Sequence, residues 1–114
     1  MAESDDTTRK VFTYEAAAAL LSVVQRLTGS AVAEVEALEA SGNSAEDQAE
    51  AAARYQEIVG RWAAEIIELG VEVKGLWLVD FDNGSGYYCW KHPEPALQFF
   101  HGYEEGFGGR VELN

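Results

Sequence analysis

Over the first forty positions, apolar residues recur at three- and four-residue intervals: Ala17, Leu20, Leu21, Val24, Leu27, Ala31, Val35 and Leu38. This spacing lays one apolar stripe along a helix, predicted over residues 12–40. Thr13 is a good N-cap, and Glu15 falls in the first turn, where the helix dipole favours a carboxylate. Gly29 lowers helix propensity without ending the helix. Ser41–Ser44 reads as a stop and restart. Gly42 or Asn43 suits a left-handed C-cap, Ser44 suits the next N-cap, and Asp47 is placed for a weak capping box. Ala51 or Ala52, Tyr55, Ile58, Val59, Trp62, Ile66 and Leu69 then share one face of a second helix, predicted over 44–69 and closed by Gly70. So short a connection makes the pair a long antiparallel helical hairpin.

The period then changes to alternation. Gly75–Phe81 reads as a strand, Asp82–Gly86 as a hairpin turn, and Tyr87–Lys91 as the returning strand. His92–Pro95 cannot extend that strand, because two prolines lack ladder donors. Ala96–Tyr103 reads as a third strand. The expected architecture is α+β: the helical hairpin followed by a three-stranded antiparallel β-meander over 75–104, in a single domain spanning 1–114. Residues 1–11 are polar and expected to fray, and 105–114 form a C-terminal loop with Phe107 pinned to the core.

Composition narrows the function classes. The chain has 114 residues, enough for one core without disulfide or metal staples. Twenty acids face eight Lys and Arg, a net charge of −12. So few cations cannot track a phosphate backbone, which argues against nucleic acid, and an anionic membrane surface is disfavoured for the same reason. No signal peptide opens the chain, and no run is read as approaching the roughly 20 apolar residues of a membrane helix. The single cysteine cannot form an internal disulfide and suits a reducing compartment, so the expected location is cytoplasmic.

Strand parity groups the polar residues. A first turn centred on Asn83-Gly84 sets Asp80 opposite Tyr87 and Leu78 opposite Cys89, with these side chains on one face. Trp77, Val79, Tyr88 and Trp90 then form the other face, the one expected to cover the helices. A five-residue loop His92–Ala96 sets Tyr87 opposite His101 and Cys89 opposite Phe99, aligning Asp80, Tyr87 and His101 across three strands. A loop one residue shorter or longer moves His101 to the other face, and parity alone leaves both open.

Three stretches carry a resemblance: FTYEAAAALL near the start, LGVEVKG with LVDF in the middle, and CWKHPEPALQFFHGYEEGFGGR at the end. Together they resemble the uncharacterised bacterial family catalogued as domain of unknown function 2203. Cys89, Trp90, Glu94, Pro95, His101, Glu104, Gly106, Phe107, Gly109 and Arg110 match its closing block in order. Phe100 stands where that pattern has tryptophan. The resemblance implies an architecture and no activity.

His101 and Glu104 are the leading candidate site. Imidazole and carboxylate suit zinc or another first-row metal, and the two converge if the chain turns at Gly102. Further ligands would come from Asp80, Glu15, Cys89 or Glu105. The plainer alternative is a structural histidine bonded to a carboxylate or a backbone carbonyl. Cys89 as a nucleophile needs a base and a lowered pKa, which acidic surroundings oppose. The glycines of Gly106–Gly109 lack the context of a phosphate loop. Arg110 is expected to pair with a carboxylate. Two readings follow. The preferred one is a non-catalytic interaction or scaffold module, a homodimer joined through its helices. The first helix would run about 40 Å and a six-residue strand only about 20 Å, so apolar helix surface projects beyond the sheet. The alternative is a metal-binding protein or metal-dependent enzyme centred on His101 and Glu104, with no other cofactor implied.

Overall fold

The computed structural model describes residues 10–40 and 44–113. The expected C-cap at Gly42 or Asn43 and the expected fraying of residues 1–9 lie outside that range. Helix α1 spans Tyr14–Glu39 and α2 spans Ala45–Glu68. Both start as their sequences predict. Thr13 Oγ1 accepts from Ala16 N at 3.1 Å, and Ser44 Oγ accepts from Asp47 N at 3.0 Å. Gly70 (φ +88°) ends α2, with Gly70 N donating to Ile67 O and Val71 N to Ile66 O, the two bonds of a Schellman motif. Lys10 and Val11 lead into a fixed segment: Phe12 N donates to Asp82 O at 2.7 Å, and the Phe12 ring meets Phe81 edge-on.

The sheet departs from the expected three-stranded meander. It has five antiparallel strands in chain order: β1 Glu72–Gly75, β2 Leu78–Asp82, β3 Gly86–Lys91, β4 Phe99–Gly102 and β5 Val111–Glu112. Two causes account for the difference. The stretch predicted as one strand from Gly75 is cut by a turn at Leu76-Trp77, where Trp77 takes φ +59°. Positive φ is costly for a bulky residue, and the Trp77 ring is held edge-on to Trp62 at 4.8 Å. At the other end, the expected C-terminal loop contains a one-turn 3-10 helix at Phe107–Gly109 and then pairs with β4 as an edge strand. Phe107 is exposed, not pinned to the core.

The first hairpin turns at Gly84-Ser85, one position later than expected. Gly84 supplies the positive φ, +94°, and Asn83 Oδ1 accepts from Ser85 N and Gly86 N. Asp80 therefore pairs with Cys89 and Asp82 with Tyr87. The shift changes opposite partners but keeps parity, so the same residues share each face. The second hairpin has the expected register, Tyr87 with His101 and Cys89 with Phe99.

One sheet face packs on the helices through Val79, Phe81, Tyr88 and Trp90. Ala17, Leu21, Val24 and Ala31 of α1 and Ile58, Trp62 and Ile66 of α2 complete this core. Inside it, the Trp62 indole N–H donates to Thr28 Oγ1 at 2.8 Å. An 18-residue window of α1 reaches a mean hydropathy of 1.3, enough by length and composition for a membrane span, contrary to the expectation that no run does. About a quarter of that window, 28%, is buried, through Ala17, Leu21, Val24, Thr28 and Ala31 on the face turned to the core.

Candidate functional site: a buried Asp-Cys-His cluster

The opposite sheet face carries Asp80 from β2, Cys89 and Tyr87 from β3, and His101 from β4. Strand alternation points all four the same way, and the five-residue loop before β4 sets His101 beside Tyr87. Asp80, Cys89 and His101 are at most 4% exposed. One ligand atom from each lies within 4.8 Å of the other two. Above them opens a cleft of about 290 Å³, walled by Lys74, Tyr87, Tyr103, Glu105 and Phe107.

His101 is held at both nitrogens. Nδ1 lies 2.9 Å from Gly102 O and Nε2 lies 2.9 Å from Asp80 Oδ2. A carbonyl oxygen only accepts, so Nδ1 carries a proton and donates it. Nε2 is thereby the nitrogen turned to the cluster, the tautomer that a backbone partner imposes on metal-binding histidines. These are also the two partners expected of a structural histidine. Two features go beyond that account. Among the described residues no donor reaches the buried Asp80 Oδ1 in full hydrogen-bond geometry. The protonated Cys89 thiol offers this carboxylate only a weak bond, and an under-satisfied buried acceptor costs up to about 1–3 kcal/mol. Beside it stands the Cys89 thiol.

Burial, and then the neighbouring Asp80 carboxylate, push the Cys89 pKa up to about 12, with Arg110 only partly opposing them. The thiol is therefore protonated at neutral pH, and a free nucleophilic thiolate is unavailable to this site. Arg110 Nη1 lies 3.9 Å from Cys89 Sγ. Its guanidinium is clamped elsewhere, on Glu94 at 2.8 Å and 3.1 Å and between the rings of Phe99 and Phe107. The carboxylate partner expected for Arg110 is thus Glu94, whose Oε1 also accepts from Lys91 N. This clamp fastens the C-terminal segment over the sheet face and closes one side of the cleft. On the far side, Lys74 pairs with Glu72 at 3.2 Å and sits over the Tyr87 ring.

The structure separates the residues proposed from sequence. His101, Asp80 and Cys89 come together. Glu105 lines the cleft but spends Oε1 on Gly102 N at 2.9 Å. Glu104 is exposed and lies outside the three-residue cluster, because the turn after Gly102 directs it to solvent. Glu15 is exposed on the first turn of α1 and also lies outside it. Spacing along the chain favoured Glu104. Cross-strand parity places Asp80 and His101 on one face, but not in the expected row: Tyr87 stands between Asp82 and His101, and Asp80, opposite Cys89, reaches His101 on the diagonal. The Glu94–Arg110 clamp and Lys74 were not foreseen as parts of the site, and no local pattern marks them.

A family model described as "Uncharacterized conserved protein (DUF2203)" matches residues 10–113. The chain belongs to this family. The match covers both helices and all five strands, so the Asp-Cys-His cluster lies wholly inside the region of domain of unknown function 2203. No curated protein and no solved structure matches the chain.

Proposed function

We propose that this protein is a transition-metal-binding domain whose centre is Asp80, Cys89 and His101. The observation that carries the reading is the buried Asp80 Oδ1, without a full hydrogen-bond partner among the described residues and in reach of an imidazole nitrogen and a thiol. A cation would offset the cost of that oxygen and convert the protonated Cys89 into a bound thiolate. The donor set, one each of N, O and S, suits zinc, cobalt or ferrous iron and does not suit magnesium or calcium. Three protein ligands leave a coordination position for a small molecule entering from the cleft, as in metal sites that do chemistry. The Gly102 carbonyl orients His101 from behind, and the Glu94–Arg110 clamp keeps the C-terminal segment in place around the centre.

The test is elemental analysis of the purified full chain after dialysis, with cobalt added to the metal-free protein. One equivalent of metal and a cobalt–thiolate absorption band are expected. Both should be lost in His101→Ala and Cys89→Ala and kept in Glu104→Ala. Absence of bound metal in the parent together with no cobalt band would sink the reading. Retention of full binding in both ligand variants would also sink it.

A further inference from the structure

We infer that the far end of the helical hairpin is a docking groove for a basic amphipathic helix of another protein. Among the described residues, the buried core of the hairpin ends at Ala31 on α1 and begins at Ile58 on α2. Beyond those positions Val35 and Leu38 of α1 and Ala51, Ala52 and Tyr55 of α2 line an apolar trough of about 300 Å³. Alanine on the α2 wall leaves room for a third backbone to settle between the two helices, ridge into groove. An occupant with apolar anchors at helical spacing matches such a trough.

Charge selects the kind of helix. Glu39 lines the trough itself. A second cleft of about 540 Å³ shares Leu38 and Ala51 with it and is walled by Asp47, Glu50 and the Arg54–Glu57 ion pair, so Asp47 and Glu50 add to Glu39 as its acidic rim. Within the described residues 32–58 Arg54 is the one cation, and it is already bound to Glu34 and Glu57. An apolar strip rimmed by carboxylates complements a helix whose apolar stripe is flanked by lysine or arginine. A second copy of this chain would instead bring the same acidic rim against itself, each copy carrying a net charge of −12. The groove shares no lining residue with the cleft over the Asp-Cys-His cluster, so this inference stands apart from the metal reading.

The probe is a fluorescent synthetic helix with leucine at every third or fourth position and lysine elsewhere. Two controls accompany it, one with the same composition scrambled and one with glutamate replacing lysine. Fluorescence anisotropy with the full chain should show the basic amphipathic helix binding at least about tenfold more tightly than the scrambled one, with the acidic helix not binding. Ala52→Gln, which fills the exposed trough wall, should weaken binding by about tenfold with the circular dichroism spectrum unchanged. Leu38→Asn on the opposite wall serves as a second variant, and His101→Ala should bind like the parent. Equal affinity for the scrambled helix, or binding unchanged in both groove variants, would overturn the inference. A light-scattering mass near twice that of one chain, unaltered by the peptide, would overturn it in favour of self-association.

Discussion

Asp80→Asn separates what the buried cluster costs from what it offers. In the metal-free protein Asp80 Oδ2 lies 2.9 Å from His101 Nε2, and Oδ1 is buried without a full hydrogen-bond partner among the described residues. With Nδ1 of His101 already donating to Gly102, the contact at Nε2 needs a second proton, so the pair is an imidazolium against a carboxylate or two neutral groups. In the variant the side-chain amide donates to Nε2 and the imidazole stays neutral. The under-satisfied oxygen remains but bears no full charge, and the volume is unchanged. If the parent pair is charged, the substitution removes two buried charges, and if it is neutral, one neutral hydrogen bond replaces another; either way the metal-free variant should be as stable as the parent or about 1 kcal/mol more stable. Zinc should reverse the order. At a hundred times its dissociation constant, a ligand specific for the folded state adds about 2.7 kcal/mol. For a chain of 114 residues that raises the unfolding midpoint by about 8–15 °C. The variant, lacking the anionic ligand, should gain only a small part of this. Thermal unfolding followed by circular dichroism, with chelator and then with titrated zinc, reads both effects. A parent midpoint indifferent to zinc, or equal shifts in the two proteins, would refute the reasoning. A metal-free variant less stable by several kcal/mol would show that the Asp80–His101 charge pair is structural.

Thr28→Val should destabilise the protein by about 1–2 kcal/mol, because the buried Trp62 N–H loses its acceptor while the added methyl regains about 0.8 kcal/mol; an unchanged denaturant midpoint would count against that bond. Gly86→Ala would set a Cβ 2.6 Å from His101 O and 2.7 Å from the Phe100 ring. A loss of about 1–3 kcal/mol is expected from chemical denaturation, along with weaker cobalt binding, since the β3–β4 contact that seats His101 must open. The Cys89 thiol ionises near its ordinary value when unfolded and only near 12 when folded. Its contribution is therefore complete below the unfolded value and is lost as pH rises towards 12. The metal-free parent should lose stability over that interval more steeply than Cys89→Ala, and parallel curves would show that the thiol is not buried as described.

Much of the architecture is legible in local pattern. The three- and four-residue spacing of α1 and α2, the caps at Thr13 and Ser44 and the stop at Gly70 depend on neighbours within a turn or two, so the chain encodes them directly. Alternation likewise encodes which strand residues share a face. That is why Asp80, Tyr87, Cys89 and His101 could be grouped even though the first turn lies one residue further along. Long-range contacts decided the rest. Trp77 adopts a left-handed turn that its own propensity opposes, with Trp62 of α2 packed against its ring, and β1 thereby becomes a separate strand. Val111–Glu112 are a strand only because the edge of β4 accepts them, with Arg110 gripped by Glu94, Phe99 and Phe107 alongside. The same clamp and turn bury Cys89 while sending Glu104 to solvent three residues after His101. Side-chain parity is a property of one strand and can be counted from sequence. Distance between groups on different strands depends on turns and on the segment folded over them, so the tertiary structure chose Asp80 and Cys89 as the companions of His101.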